Sequence, residues 1–171
     1  NTLFGKDAGT AITTGDHNTA LGWEALDSQT TGYGNVALGS KALNGSTTGQ
    51  RNIAIGYYAM TGNLTSSSIG NIAIGEGSLA GVSGNATYNI GIGFEAGYNC
   101  NSSAGSNIMI GNSVARWGGG TAFSGDGNVL IGSESGYSAT SAEYNVAIGS
   151  GSFKDITTAT KNVGIGGFAG A

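Results

Sequence analysis

The sequence contains no proline, one cysteine and one histidine, and only 9% of its residues are charged. Each shortage excludes a class. Disordered chains are usually rich in charge and proline. A collagen-like chain needs proline together with glycine at every third position. Cys100 stands alone, so no internal disulfide forms, and it has neither a second cysteine nor a second histidine with which to share a metal. It is expected as a small loop residue, with an interchain contact as the alternative. The basic residues Lys6, Lys41, Arg51, Arg116, Lys154 and Lys161 are scattered through a chain of formal net charge −4. That distribution gives nucleic-acid binding no electrostatic footing. No apolar run approaches the ~20 residues that span a bilayer, and no signal peptide is visible, so membrane insertion is not expected.

What is abundant is glycine, 34 of 171 residues, about three times the ordinary share. It falls within a repeat that accounts for the whole chain: Asn, a β-branched residue, a small residue, a large aliphatic, Gly, two variable residues, a small residue and one more. Ten copies start at Asn1, Asn18, Asn35, Asn52, Asn71, Asn89, Asn107, Asn128, Asn145 and Asn162, at spacings of 17, 17, 17, 19, 18, 18, 21, 17 and 17. Apolar residues at the second and fourth places, such as Ile53 and Ile55 or Val146 and Ile148, alternate with period two. This predicts a strand with those side chains facing a core. A second short strand is expected near Glu24-Ala25-Leu26. Two strands and two turns fill about 17 residues, the size of one solenoid coil. The expectation is an all-β parallel β-solenoid, or β-roll, of about ten coils of 17–21 residues, one domain over residues 1–171. At about 4.8 Å per coil it would be a rod roughly 45–50 Å long.

The fixed positions are expected to be structural. Glycine closes the strand in every copy, as at Gly22, Gly39, Gly56, Gly75 and Gly149, where it supplies a positive φ or lets another backbone approach. The leading Asn (Asn18, Asn35, Asn52, Asn71, Asn145) suits either a left-handed turn or a ladder of amides bonded coil to coil. The third place is Ala or Gly in seven copies, among them Ala20, Ala54, Gly91 and Gly164. It points away from the second and fourth. Two readings stay open: a face on which another chain packs, or a small-residue face inside the same thin roll. Connections carry turn chemistry, as in Thr13-Thr14-Gly15 and Thr30-Thr31-Gly32. The chain begins on a repeat and stops just after one, without a polar cap, which implies flanking domains or subunits stacked end to end.

Catalytic patterns are weak. His17 lies beside Asp16 in a connection, and a nucleophile–base pair with Cys100 would have to span five coils, about 20–25 Å. Asp7 and Glu24 share a repeat position on adjacent coils, near the separation of glycosidase carboxylates. Lys41 follows them in the column, and the row reads as a mixed-charge surface. Gly164-x-Gly166-x-x-Ala169 resembles a dinucleotide fingerprint only because the repeat generates it, and no crossover helix follows. The Gly-Gly-x-Gly-x-Asp run of calcium-binding coils is absent. Neither cofactor nor metal is expected, and the chain is expected not to be an enzyme. A binding reading has more support. The longest connection carries Arg116, Trp117 and Phe123 and is expected to bulge from the coil, where binding residues are often placed. Trp23, Tyr57, Tyr58, Phe94 and Phe168 take outward positions suited to chain packing or to stacking on sugars. Sequons at Asn44, Asn63, Asn85 and Asn101 lie in connections that would accept glycans.

The units resemble the head repeats of trimeric autotransporter adhesins, in which Asn-x-Val-Ala-Ile-Gly builds a left-handed parallel β-roll. The fuller pattern, Asn18-Thr-Ala-Leu-Gly-Trp-Glu-Ala-Leu followed by Thr30-Thr31-Gly32, is similar to repeats of bacteriophage tail fibres and bacterial surface fibres. The resemblance covers essentially the whole chain. It implies a left-handed coil, an extracellular, cell-surface or virion-surface location, and parallel self-association into a homotrimer. An end-to-end filament is the alternative assembly, and a host-surface glycan or receptor the further partner. The chain departs from the adhesin pattern in its longer period and in showing no coiled-coil neck or anchor. The expected function is that of a structural segment of an extracellular fibre, with a receptor- or glycan-binding tip as the alternative.

Overall fold

The computed structural model describes residues 1–100, 104–116 and 123–170. Every repeat forms one three-residue strand: β1 (Thr2–Phe4), β2 (Thr19–Leu21), β3 (Val36–Leu38), β4 (Ile53–Ile55), β5 (Ile72–Ile74), β6 (Ile90–Ile92), β7 (Ile108–Ile110), β8 (Val129–Ile131), β9 (Val146–Ile148) and β10 (Val163–Ile165). They make a single ten-stranded parallel sheet in the order of the sequence. Register is strict, so that Val36, Ala37 and Leu38 face Ile53, Ala54 and Ile55. No helix occurs among the described residues. The chain is a parallel β-solenoid.

The faces of the sheet are reversed from the expectation. The third place of the repeat, the middle residue of each strand, points inward: Ala20, Ala37, Ala54, Ala73, Met109, Leu130 and Ala147 are fully buried. The β-branched and large residues on either side look outward and are only half covered. Period two fits either face equally well. The interior decides between them, because it is about one side chain wide and cannot hold two branched residues per coil. Of the two readings of the small position, the inner face of a thin roll is the one found.

Nor does the second strand form. Glu24 and Leu26 have φ of 51° and 57°, so the residues flanking Ala25 are left-handed and no β ladder can run through them. The same happens in every coil at the sixth and eighth residues after the Asn, for instance Lys41 with Leu43, Tyr58 with Met60 and Glu95 with Gly97. Backbone bonds still link these turns coil to coil, as from Glu24 N–H to Lys6 O (3.0 Å) and from Leu26 N–H to Ala42 O (3.0 Å).

The core is a knob-and-gap stack. Facing the middle residue of each strand is the eighth residue after the Asn, and large pairs with small. Ala20 is set against Leu26, Ala37 against Leu43, Ala54 against Met60 and Ala73 against Leu79, whereas Leu130 is set against Gly136. Where both are glycine, a neighbouring coil fills the space. A Cβ on Gly97 would lie 2.6 Å from Leu79 Cδ2 and 2.8 Å from Met109 Cε. In the last coil, Phe153 reaches over Gly164 and Gly170.

Candidate functional site

Two kinds of site are built by the repeat: a buried polar column that holds the coil, and outward faces able to meet other molecules. The column is the Asn ladder. Asn35 Nδ2 donates to Asn18 Oδ1 (3.1 Å) and to Gly49 O (2.9 Å), while Asn18 Oδ1 also accepts the Asn35 backbone N–H (2.9 Å). Both amide hydrogens and both lone pairs are thus used. The pattern repeats through Asn52, Asn71, Asn89, Asn107, Asn128 and Asn145, all buried. The left-handed residue is not the Asn but the one before it, such as Arg51 or Tyr88. Of the two readings of the Asn, the ladder holds and the turn belongs to its neighbour. Glycine at the fifth place meets both expected demands: Gly39 has φ 130°, and a Cβ there would sit 2.6 Å from Gly56 O.

The first outward face is aliphatic. Two columns run the length of the sheet, one through Val36, Ile53, Ile72, Ile90 and Ile108, the other through Leu38, Ile55, Ile74, Ile92 and Ile110. They remain part exposed, Leu21 at 49% and Ile74 and Ile148 at 37%.

The second face lies beyond the fifth-place glycines, where aromatic and charged side chains share a wall. Lys41 Nζ is 3.5 Å from Glu24 and lies over the rings of Trp23 (4.9 Å) and Tyr58 (5.4 Å). Tyr58 above all holds the Lys41 ammonium above its usual pKa; burial opposes it, and Glu24 adds a smaller upward push. Arg116 sits against Glu95 as a charge contact without the alignment of a hydrogen bond, its guanidinium 5.9 Å from the Tyr98 ring. Lys154 is 2.5 Å from Glu134 and 5.8 Å from the Tyr137 ring, and Glu134 raises its pKa. Between the first two trios a cleft of about 180 Å³ opens among Tyr57, Tyr58, Glu76, Gly77, Glu95 and Tyr98. Tyr57 and Tyr58 meet edge to face at 4.4 Å. Burial and then Tyr58 push the Tyr57 hydroxyl up.

Other sequence-chosen residues are scattered. Phe123 is buried in the core, bridged to Cys100, so it is not an outward binding residue. Arg116 is engaged by Glu95, and Trp117 lies outside the described residues. Cys100 is fully buried rather than in an open loop, and burial pushes its thiol up to about 12, which removes it from interchain chemistry. His17 is exposed, 3.6 Å from Asp16. Of the sequons, Asn63 and Asn85 are exposed and Asn44 is half-buried, while Asn101 lies outside the described residues. Trp23, Tyr57 and Phe94 are exposed as expected. Glu76, Glu95 and Tyr98 were not singled out. Reading the column of Asp7, Glu24 and Lys41 onward through Tyr58, Gly77 and Glu95 would have found the cleft. No group of three or more His, Cys, Asp or Glu placed to hold a metal occurs among the described residues. Among the described residues no helix is long and apolar enough to cross a membrane.

No protein-family model, curated protein or solved structure matches the chain.

Proposed function

We propose that the chain is a rigid, non-enzymatic segment of an extracellular fibre or filament, and that copies of it associate in parallel through the outward aliphatic face. The observation that carries this reading is the pair of in-register Ile/Val/Leu columns left half exposed along the whole sheet. Contiguous exposed apolar surface of this kind marks an interaction site. Its repeat matches that of a second copy, since strands recur at about 4.8 Å in both. Each coil adds roughly 50 Å² of projected strip, taken as 4.8 Å by about 10 Å. Ten coils therefore offer roughly 60% of the ~800 Å² per partner of a standard interface. Association should accordingly strengthen with the number of coils, as suits a fibre and not a compact dimer. Extracellular placement and the choice between a homotrimer and an end-to-end filament rest on the repeat's resemblance to surface and tail fibres.

The test is sedimentation of the chain against the triple variant Ile55→Lys, Ile92→Lys and Ile131→Lys. The variant should be monomeric with unchanged far-UV circular dichroism. A wild-type chain that stays monomeric at its highest soluble concentration would overturn the proposal. A second reading, a glycan-binding tip, is favoured by the exposed rings of Trp23 and Phe94, each 45% exposed. It requires glycan binding that survives the triple variant and is lost in Trp23→Ala with Phe94→Ala.

A further inference from the structure

Three cations on the aromatic wall are held in one way, by a carboxylate and a ring from neighbouring coils. Lys41 has Glu24 with Trp23 and Tyr58, Arg116 has Glu95 with Tyr98, and Lys154 has Glu134 with Tyr137. The last two use the same positions of their coils. The cleft at Gly77 is lined by the same kinds of group with no cation in its lining, although Tyr58 and Tyr98 also meet Lys41 and Arg116. Tyr57 and Tyr58 stand on the coil before, Glu95 and Tyr98 on the coil after, and Glu76 at the rim. Among the described residues, which include every Lys and Arg of the chain, none pairs with Glu76 or lines the cleft. Glu95 is already matched by Arg116, so the charge of Glu76 is left over. The gap exists because Gly77 takes the column position that Lys41 fills two coils earlier, with nearly the same backbone, φ 63° against 57°. Two coil steps, about 10 Å, separate Tyr58 from Glu95, room for one small cationic group against the rings.

We propose that this cleft binds an organic ammonium group from outside the chain, held by cation–π contact with Tyr57, Tyr58 and Tyr98 and by the charge of Glu76. Rings of this type attract ammonium ions at about 6 Å or less from the centroid, and quaternary ammonium recognition by aromatic cages uses the same contact. The ammonium belongs either to a free small molecule or to a lysine side chain of another protein; the two share the contact chemistry and differ in what lies beyond it.

The test is an NMR titration of the full chain with choline and with its neutral isostere 3,3-dimethyl-1-butanol, which keeps the shape and hydroxyl and removes the charge. Choline should shift the resonances of Gly77, Tyr57, Tyr58 and Tyr98 with a dissociation constant on the order of millimolar, and the isostere at least tenfold more weakly. Glu76→Gln should weaken choline about fivefold, the upper value for an exposed charge pair. Gly77→Lys should place the chain's own ammonium in the cleft, as Lys41 does in its column, and abolish binding, while its left-handed backbone at φ 63° costs about 1–2 kcal/mol and lowers the melting temperature by a few degrees. Should that variant fail to fold, Glu76→Gln and the isostere still decide the matter. Tighter binding of Nα-acetyl-lysine methylamide than of choline identifies a protein lysine as the source, and the reverse identifies a free ammonium. Equal binding of choline and the isostere, binding unchanged by Glu76→Gln, or saturation of these resonances by a neutral sugar alone would overturn the proposal.

Discussion

Exchanging which wall of one coil carries the large side chain tests the core directly. Leu130 is 1% exposed and faces Gly136, whose missing side chain makes the room that Leu130 fills; a Cβ on Gly136 would lie 2.9 Å from Leu130 Cδ1. Coils at Ala20/Leu26, Ala37/Leu43 and Ala73/Leu79 have the opposite arrangement. Leu130→Ala alone opens a cavity opposite a glycine, where nothing can collapse into it, and should cost about 4 kcal/mol. Gly136→Leu alone overpacks by about 2 kcal/mol and places Leu at φ 58°, adding about 1 kcal/mol. The double variant recreates the arrangement of the earlier coils, in which Leu26 and Leu43 already sit at φ 57° and 54°. It should cost no more than about 2 kcal/mol against about 7 kcal/mol for the two single changes added together, so they compensate by at least about 5 kcal/mol, above the usual range of about 0.5–3 kcal/mol for touching residues. Urea unfolding followed by far-UV circular dichroism measures all four corners of the cycle, with equal m-values as the check that the transition stays cooperative. Costs that simply add would refute the knob-and-gap account of the core.

Asn71→Ala should cost about 3 kcal/mol or more, because Asn89 loses the Oδ1 that accepts its backbone N–H and its amide, and each buried unsatisfied group costs about 1–3 kcal/mol; the urea midpoint reports it. Cys100 should resist iodoacetamide at pH 8 until the chain unfolds, and mass spectrometry of labelled protein checks this. Its raised pKa also has a sign for stability. The unfolded thiol ionises near its ordinary value of 9.0 while the buried one holds its proton up to about 12, so stability falls as pH rises through that window and is unaffected below it. Cys100→Ala should remove that part of the alkaline loss.

Much of this architecture is written in the sequence, and the parts that are not share a physical cause. Ten Asn-to-Gly units at near-constant spacing allow little but stacked parallel strands, and the buried Asn ladder follows from an amide at one position of every coil. Inside and outside could not be read from hydrophobicity, because the outward positions, such as Ile72 and Ile74, are more apolar than the inward Ala73. What does separate the faces is compensation, Ala20 with Leu26 against Leu130 with Gly136, a pairing visible only when whole coils are aligned. The expected strand at Glu24-Ala25-Leu26 failed for a related reason. Its small-and-large alternation mimics a strand, but Val, Ile and Thr, the residues that most resist left-handed backbone, are missing at the sixth and eighth residues after the Asn in all ten units. The cleft was hidden because Gly77 looks like one more glycine among many until its column is read against Lys41 and Glu95.

The residue before each Asn is also left-handed, and the column holds Gly34, Gly70 and Gly127 beside His17, Arg51, Tyr88, Ser106 and Tyr144. The coil therefore imposes the conformation whether or not the residue favours it, and each non-glycine carries roughly 1–2 kcal/mol of steric cost. Ser106 has φ 57°, and its backbone N–H donates to Thr87 O at 2.9 Å. Ser106→Gly keeps that bond and relieves the strain, while the freer unfolded chain takes back about 0.5–1 kcal/mol. A net gain near 1 kcal/mol should raise the melting temperature by about 2–4 °C for a chain of this length. At Gly70 the reverse change should lower it. A Cβ there is both left-handed at φ 71° and 2.9 Å from Tyr88 Cδ1, so Gly70→Ala meets the backbone cost and displaces a ring together. Calorimetry on the two variants settles the point: a Ser106→Gly chain that melts below the parent would mean that the coil does not strain this column at all.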